Sequence, residues 1–591
     1  MTSSSPHFPP SSSLSGKMQL GLSPAILWTL VILFLLAWMY GLGMRTLVPT
    51  DEGRYAEMAR EMLVSGDWIT PRLNGIKYFE KPPLQTWMNA ATFALFGLGE
   101  WQARLWTGLC GLLGVGLVAF TANRLYGSRA ALYSAMILAS SLWWMGLGHV
   151  NTLDMGLSGM MTLSLCSLLL AQQDDATSMS RRRWMRWCWA GMALAVLSKG
   201  LIGLILPGAV LVIYTAVTRD LNIWKRLNLT QGLPLFFAIC TPWFVLVSIK
   251  NPEFPHFFFI HEHFQRFLTK THHREGPWYY FIPLLAGGLL PWIGLLPVSL
   301  WHAAKQTHQR FQIEKLLLIW SVFIFFFFSI SGSKLPSYIL PIFPALALLI
   351  GSMMAKEHAE PPKDNPLAAS AMWNFVLIAA CALLGLLALY LPPGLRSFSY
   401  HPFETPYIMA LQPWLQAACG IALLGSVAGL IAYVRARREA ALVTLAVAGF
   451  TCWMMILAGT EAHGRYRAGM TLVNAIEAEL EPKTVLYFVG MYDQTLPFYL
   501  RRTFTLVEHR DELAFGLSQE PHLWIKEHDA FVELWQNGPP AIAIMAPNRF
   551  VTLHQENLRM RVLTQDSRRI VVSNQMVPRS PRFKKPTPEK N

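Results

Sequence analysis

Charge is what this sequence has least of. Asp, Glu, Lys and Arg make up 14% of 591 residues, against 53% hydrophobic and 12% aromatic. A soluble chain of this length divides into several domains with charged surfaces, which this composition excludes. Cysteine is scarce too. All seven (Cys110, Cys166, Cys188, Cys240, Cys381, Cys419, Cys452) fall inside apolar runs. They suggest no disulfide framework and no CxxC metal motif, and read as small packing residues. No internal repeat marks an inverted-repeat transporter, and no A-x-A site follows the first apolar run. The net charge of +14 could suit nucleic acid in a soluble protein, but in a membrane protein Lys and Arg gather in cytoplasmic loops, so no nucleic-acid partner is implied. What remains is a polytopic α-helical membrane protein.

Residues 1–23 are Ser/Pro-rich at their start and read as a disordered cytoplasmic N-terminus. Pro24 to Gly43 is apolar throughout and reads as an uncleaved span. Basic clusters follow at Arg124 and Arg129, Arg181 to Arg186, Arg219 to Arg226, Lys305 to Lys315, Lys356 and Lys363, and Arg435 to Arg438. All of them can be cytoplasmic only if the short run Leu84 to Gly97, which carries Gln85, Thr86 and Asn89, does not cross. The other runs then give about thirteen crossings between residues 24 and 459, with the N-terminus inside and the C-terminus outside. The polar residues that this rule leaves unexplained gather on the outer face, above all in the loop 44–100. From residue 460 to 578 the pattern changes to a small outer α/β domain. TVLYFV from Thr484, TFTLV from Thr503, AIAIMA from Ala541 and RIVVSN from Arg569 read as strands, and HDAFVELWQNG from His528 reads as a helix closed by Gly. No catalytic motif is apparent there. Residues 579–591 form a basic, Pro-rich tail.

The densest chemistry lies in PTDEGRYAEMAREMLVSGDWITPRLNGIKYFEKPPLQTW, from Pro49 to Trp87. If its first half is a helix lying along the membrane surface, Asp51, Arg54 and Tyr55 share a face that continues through Met58 and Met62. Asp51 and Glu52 would serve as dipole partners or caps in any helix. Arg54 and Tyr55 add a phosphate-binding fork and a hydroxyl beside them. Glu80 and Lys81 sit where the chain re-enters lipid, and Pro82 and Pro83 fix their direction. Asp154, at the start of a span, has only Asn151 and Thr152 as local polar neighbours, and acids at membrane depth usually face a polar cavity. Lys199 has no acid near it in sequence and could pair with phosphate. The loop Ile260 to Trp278 holds His261, His263, His272 and His273 with Arg266 and Arg274, but no HExxH spacing. One His could join Glu80 and Asp51 around a divalent ion. SGSKLPSY, from Ser331 to Tyr338, adds a Lys and a Tyr at the outer mouth. These groups suit an anionic lipid headgroup and a reacting sugar.

An acidic pair after the first span, followed by RYAEMAREML, SGDW and YFEKPP, resembles the bacterial undecaprenyl-phosphate 4-amino-4-deoxy-L-arabinose transferases. These belong to the protein-mannosyltransferase-like GT-C superfamily of membrane glycosyltransferases. The resemblance is densest over residues 49–104 and extends more loosely through Asp154, Lys199 and the His261 loop to Tyr338. It implies an undecaprenyl-phosphate-linked sugar donor, lipid A or another envelope acceptor, and a site facing the periplasm of the bacterial inner membrane. Asp51, Asp154 and Glu80 become the candidate catalytic carboxylates. Arg54, Tyr55, Tyr78, Lys81, Lys199, Arg266 and Tyr338 would surround the lipid phosphate, and Glu80 with His261 could share a metal ion (Zn, Mg or Mn). Three rivals stay open: transfer of another lipid-linked sugar to a glycan or protein, a flippase for the same lipid, and an envelope protein that only binds it.

Overall fold

The computed structural model describes residues 23–265, 276–305, 310–359, 366–391 and 405–577. Its body is a bundle of apolar helices. Those that position the site are α1 (Pro24–Gly41), α2 (Asp51–Ser65), α3 (Leu84–Phe96), α4 (Glu100–Tyr126), α5 (Ser128–Ser140), α6 (Leu142–Gly148), α7 (Leu153–Gln172), α8 (Ser178–Lys199) and α9 (Ile202–Thr218). Hydroxyls cap three of them: Ser23 for α1, Thr152 for α7 and Thr177 for α8 each accept a backbone N–H of the first turn.

Among the described residues nine helices are long and apolar enough to cross a membrane. Two bent pairs, α5 with α6 (63°) and Phe281–Gly288 with Ile293–Lys305 (111°), raise this to eleven if each pair is one span. The expected total of about thirteen needs α8 and α9 as well. The first carries Arg181 to Arg183 near its start, and the second is only 17 residues long. Helix α7 and the segment Pro336–Lys356 are 94% buried and form the centre of the bundle, whereas α1 is 11% buried and presents its side chains outward. Leu84 to Gly97 was expected not to cross. It forms α3, 13 residues long, which at ~1.5 Å per residue is too short for a ~30 Å hydrocarbon layer. Gln85 and Asn89 of α3 each donate to Asn151 Oδ1 at 2.9 Å.

The loop between α2 and α3 carries a two-stranded hairpin, β1 (Arg72–Leu73) and β2 (Ile76–Lys77). The C-terminal domain is one six-stranded sheet made of β3 (Val485–Val489), β4 (Thr505–Val507), β5 (Trp524–Ile525), β6 (Ala541–Met545), β7 (Arg561–Gln565) and β8 (Ile570–Ser573), in the order β5-β4-β3-β6-β8-β7. Strands β3 to β6 run parallel, and β8 pairs antiparallel with both β6 and β7. The four strands read from sequence are β3, β4, β6 and β8. Their side chains are buried on both faces almost throughout, which is why they read as continuous apolar runs.

The structure corrects the expectation for α2. It is not a surface helix with one wetted face, because residues 55–62 are all buried. The C-terminal domain closes over it: Tyr55 and Met58 share a core with Leu472, Leu486 and Leu496. Asn74 exchanges two hydrogen bonds with the Phe504 backbone (2.7 and 2.8 Å), and Arg72 pairs with Glu520 at 3.0 Å. A Cβ on Gly53 would stand 2.6 Å from the Gln494 carbonyl oxygen. Gly53→Ala is therefore expected to push the domain off α2 at a cost of about 1–3 kcal/mol. It should read out as faster proteolysis after residue 460 and a lower Tm, and an unchanged Tm would refute the contact.

Candidate active site

The two acids that open α2 have different fates. Glu52 is 1% exposed. Its carboxylate accepts from Arg45 (2.6 and 3.1 Å), from Arg104 of α4 (2.7 and 3.0 Å), and from the backbone N–H groups of Val48 (3.1 Å) and Asn151 (2.9 Å). Burial alone would raise its pKa, but Arg104 and Arg45 outweigh burial and hold it at about 2. This triad ties the end of α1, the start of α2, α4 and the turn before α7 into one frame. Glu52 is thereby consumed as a structural anion. Asp51, one residue earlier, is 40% exposed and keeps one oxygen on Arg54 Nη1 at 2.8 Å.

Arg54 was expected to offer an open fork to phosphate. Here both terminal nitrogens meet carboxylates, Nη1 on Asp51 and Nη2 on Glu512 at 2.5 Å. Glu512 comes from the C-terminal domain, and no sequence signal marked it. Gln494 donates to its other oxygen at 2.7 Å and the Tyr78 hydroxyl lies 3.4 Å away. Burial raises the pKa of Glu512 even against the pull of Arg54. The guanidinium also lies 5.9 Å from the centre of the Tyr78 ring. Tyr55 and Tyr78 are buried at 5% and 3% exposure. Burial, then Asp51 for Tyr55 and Glu80 for Tyr78, pushes both phenols well above their ordinary value, so both remain hydrogen-bond donors. The field on Tyr55 comes from Asp51, Arg54, Glu80 and Asp154 together.

Asp154 and Lys199 were read as isolated charges. In fact α7 and α8 run antiparallel, so the first turn of one and the last residue of the other end at the same level, and Lys199 Nζ bonds Asp154 Oδ1. The ammonium also lies 4.7 Å from the centre of the Tyr338 ring, and Asp51 contributes to its field. Thr152 rather than Asp154 caps α7, which leaves the Asp154 carboxylate to Lys199.

Lys81 turns toward the aromatic stretch His256–Gln265, donating to Glu262 at 3.3 Å and to the Glu80 carbonyl at 2.9 Å. Glu262, with a side chain 2% exposed, is a second carboxylate missed in the sequence, where the flanking histidines drew the attention. A lone acid inside FFFIHEHF was the available signal. His261 Nδ1 lies 3.6 Å from Glu262, and the His261 ring stacks on Phe257, which itself stacks on Phe515 of the C-terminal domain. Arg266 lies outside the described residues. Among the described residues no three His, Cys, Asp or Glu side chains group to hold a metal ion. Glu80 and His261 would supply two donors and need others from elsewhere.

Ion pairs thus join the start of α2 to the C-terminal domain, the start of α7 to the end of α8, and the YFEKPP turn to the Glu262 stretch. Residues 25–258 match the family described as dolichyl-phosphate-mannose-protein mannosyltransferase, and residues 472–574 match the aminoarabinose transferase C-terminal domain. The chain is 31% identical over 507 residues to the undecaprenyl phosphate-alpha-4-amino-4-deoxy-L-arabinose arabinosyl transferase of Erwinia tasmaniensis, covering 82% of this chain and 86% of that one. It is 35% identical to the protein of the same name from Edwardsiella ictaluri over 341 residues, covering 56% of this chain and 60% of that one. Among solved structures, ArnT from Cupriavidus metallidurans bound to undecaprenyl phosphate superposes with a TM-score of 0.88 at 41% identity, covering 95% of this chain and all of that one. The chain is a multi-pass membrane protein and belongs to the undecaprenyl phosphate-alpha-4-amino-4-deoxy-L-arabinose arabinosyl transferase family, of the GT-C membrane glycosyltransferases.

Proposed function

We infer that this protein moves 4-amino-4-deoxy-L-arabinose from undecaprenyl phosphate to lipid A or a related envelope acceptor, at the periplasmic face of the bacterial inner membrane. The reading is supported by the Asp154–Lys199 pair beside Tyr338 and by Lys81 on the buried Glu262, in a chain that superposes on a relative holding undecaprenyl phosphate. A flippase for the same lipid would place its charges near mid-membrane.

Breaking the glycosyl–phosphate bond builds oxocarbenium character on the sugar and negative charge on the departing phosphate. Lys81 and Lys199 supply positive charge to that phosphate from a site poor in water. Each now rests on a carboxylate, Glu262 or Asp154, that a phosphate would compete with. Tyr338 lies against Lys199 and Tyr78 against Arg54. Arg54, clamped between Asp51 and Glu512, sets the direction of Asp51. Asp51 then holds the sugar's cationic amino group or stabilises the developing positive charge. An acceptor phosphate is already an anion and needs no base, whereas for an acceptor hydroxyl Asp51 is the base within reach. A divalent ion on Glu80 and His261 would add positive charge beside the leaving group, and no step here depends on it.

Asp51→Asn and Lys81→Ala are expected to lower release of undecaprenyl phosphate from the sugar-loaded lipid by at least ~10²-fold, while the protein still reaches the membrane. Turnover retained in either variant would remove that residue from the site.

A further inference from the structure

Two acids on α2 take no part in the site described above. Glu57 and Glu61 stand one turn apart, so they share a face of the helix, and both are buried. Arg60 donates to both oxygens of Glu57, at 2.7 and 2.6 Å, which makes Glu57 the ionised member. Among the described residues no cation forms an ion pair with Glu61. Its Oε2 accepts the Gly75 N–H at 2.7 Å, and its Oε1 is buried with no hydrogen-bond donor beside it. The two carboxyl groups are themselves in hydrogen-bond contact. Two carboxylates repel at that distance, so the contact needs a proton between them.

The pair lies at the seam between α2 and the parts that close over it. Gly75 forms the turn of the β1–β2 hairpin with Asn74, at φ values of 77° and 56°. Asn74 is the residue that exchanges hydrogen bonds with the Phe504 backbone. One hydrogen bond therefore links Glu61 to the turn that the C-terminal domain grips. Arg72 donates to the Gly75 carbonyl at 2.6 Å and is itself paired with Glu520. From the domain, Tyr492 brings a buried hydroxyl without a partner. Burial, then Glu512, Glu57 and Glu61, hold that phenol well above its ordinary value, so it adds no charge. The charges acting on Glu61 are thus Glu57 and the Arg60 already bound to it. Burial, then Glu57, pushes the Glu61 carboxyl well above its ordinary 4.5.

We propose that Glu57 and Glu61 share one proton, and that this proton makes closure of the C-terminal domain over α2 pH-dependent. With the proton in place, Glu61 bonds Glu57 on one side and the hairpin turn on the other. Its loss leaves two buried carboxylates in contact with a single arginine, and lifting of the hairpin and domain then lets water reach them. The closed form binds the proton more tightly than the open one. The contribution of Glu61 to closure is therefore fully present below about 4.5 and is lost as pH rises toward its raised value. Opening that wets the pair grows by up to about tenfold per pH unit across that interval. Glu512 reaches Arg54 from the closed domain, so the same proton bears on the direction of Asp51, a consequence that rests on the transfer reading above.

The test uses the purified full-length protein at a series of pH values from about 5 to 9. Protease cleavage after residue 460 reports opening. Wild-type cleavage, taken relative to Glu61→Gln at each pH, is expected to rise at least about tenfold across the series. Glutamine keeps an oxygen for Gly75 and can donate its own N–H to Glu57, so it holds the closed form without a titrating proton. Infrared difference spectra should show the C=O stretch of a protonated carboxylic acid in the wild type near neutrality and not in Glu61→Gln. In the wild type alone, that band should fade over the pH range in which cleavage rises. Parallel pH dependence of cleavage in the two proteins, or a wild-type band that is absent or does not fade, overturns the proposal. Release of undecaprenyl phosphate should fall over the same range in the wild type and less in Glu61→Gln. Absence of release from the wild type at every pH would count against the transfer reading and leave the cleavage and infrared results standing.

Discussion

Asp154→Asn is expected to lower transfer by about 10³-fold without loss of protein from the membrane, within the range for removal of a preorganised electrostatic or acid–base group. Asparagine keeps the shape of the side chain, and the N-cap of α7 belongs to Thr152, so the helix start survives. What is lost is the charge that fixes Lys199. Its ammonium lies between Asp154 and the face of Tyr338. Without the carboxylate, the ammonium is no longer aimed where a leaving phosphate must arrive. Lys199→Met should lose activity to a similar extent. The double variant should be little worse than the poorer single one, because groups that act as a unit are not additive. Release of undecaprenyl phosphate at saturating donor is the measurement. Additive losses, or a single variant within tenfold of wild type, would separate Asp154 from Lys199 in function.

Glu52→Gln is expected to produce a large loss of stability. The substitution leaves Arg45 and Arg104, 6% and 0% exposed, facing each other with no anion between them. Removing one partner of a buried ion cluster costs about 3–5 kcal/mol because the charges left behind stay desolvated. The cost should appear as a markedly lower Tm and reduced yield, and Glu52→Asp should recover part of it. The pH dependence follows from the same carboxylate. It titrates at about 2 when folded against 4.5 when free, so its contribution is fully present above about 4.5 and is lost as pH falls from there toward 2. Near neutrality this group therefore contributes in full and adds no pH dependence to wild-type stability. The glutamine variant should lack this contribution to acid unfolding, and equal acid limbs in the two proteins would contradict the assignment.

These two residues show where a linear reading reaches and where it stops. Asp51 and Glu52 are adjacent and chemically alike, and only the packed structure shows that one belongs to the frame while its neighbour stays half-open beside Arg54. The spans were legible because lipid imposes apolar length and loops collect Lys and Arg, and these two constraints also kept α3 out of the crossing count. Strands β3, β4, β6 and β8 were legible as short apolar runs. Strand β5 is two residues long, and the side chains of β7 are only partly buried, so neither leaves such a signature. The pairing of Asp154 with Lys199 spans 45 positions and follows from an antiparallel α7–α8 hairpin, which periodicity alone does not place. Glu512 lies further still from Arg54, in a domain whose sequence carried no catalytic motif. Its contribution depends on how that domain sits over α2, through the close approach at Gly53 and the clasp at Asn74. The buried Glu262 was hidden among histidines.

The transfer reading depends on a phosphorylated carrier lipid being cleaved beside the Asp154–Lys199 pair. The most direct measurement incubates the purified protein with undecaprenyl phosphate-linked aminoarabinose and lipid A, then quantifies both products by mass spectrometry. The predicted result is one undecaprenyl phosphate released for each aminoarabinose gained by lipid A, with both products at least ~10²-fold lower for Asp51→Asn. Donor recovered intact, or carried across a bilayer without cleavage, would contradict the account.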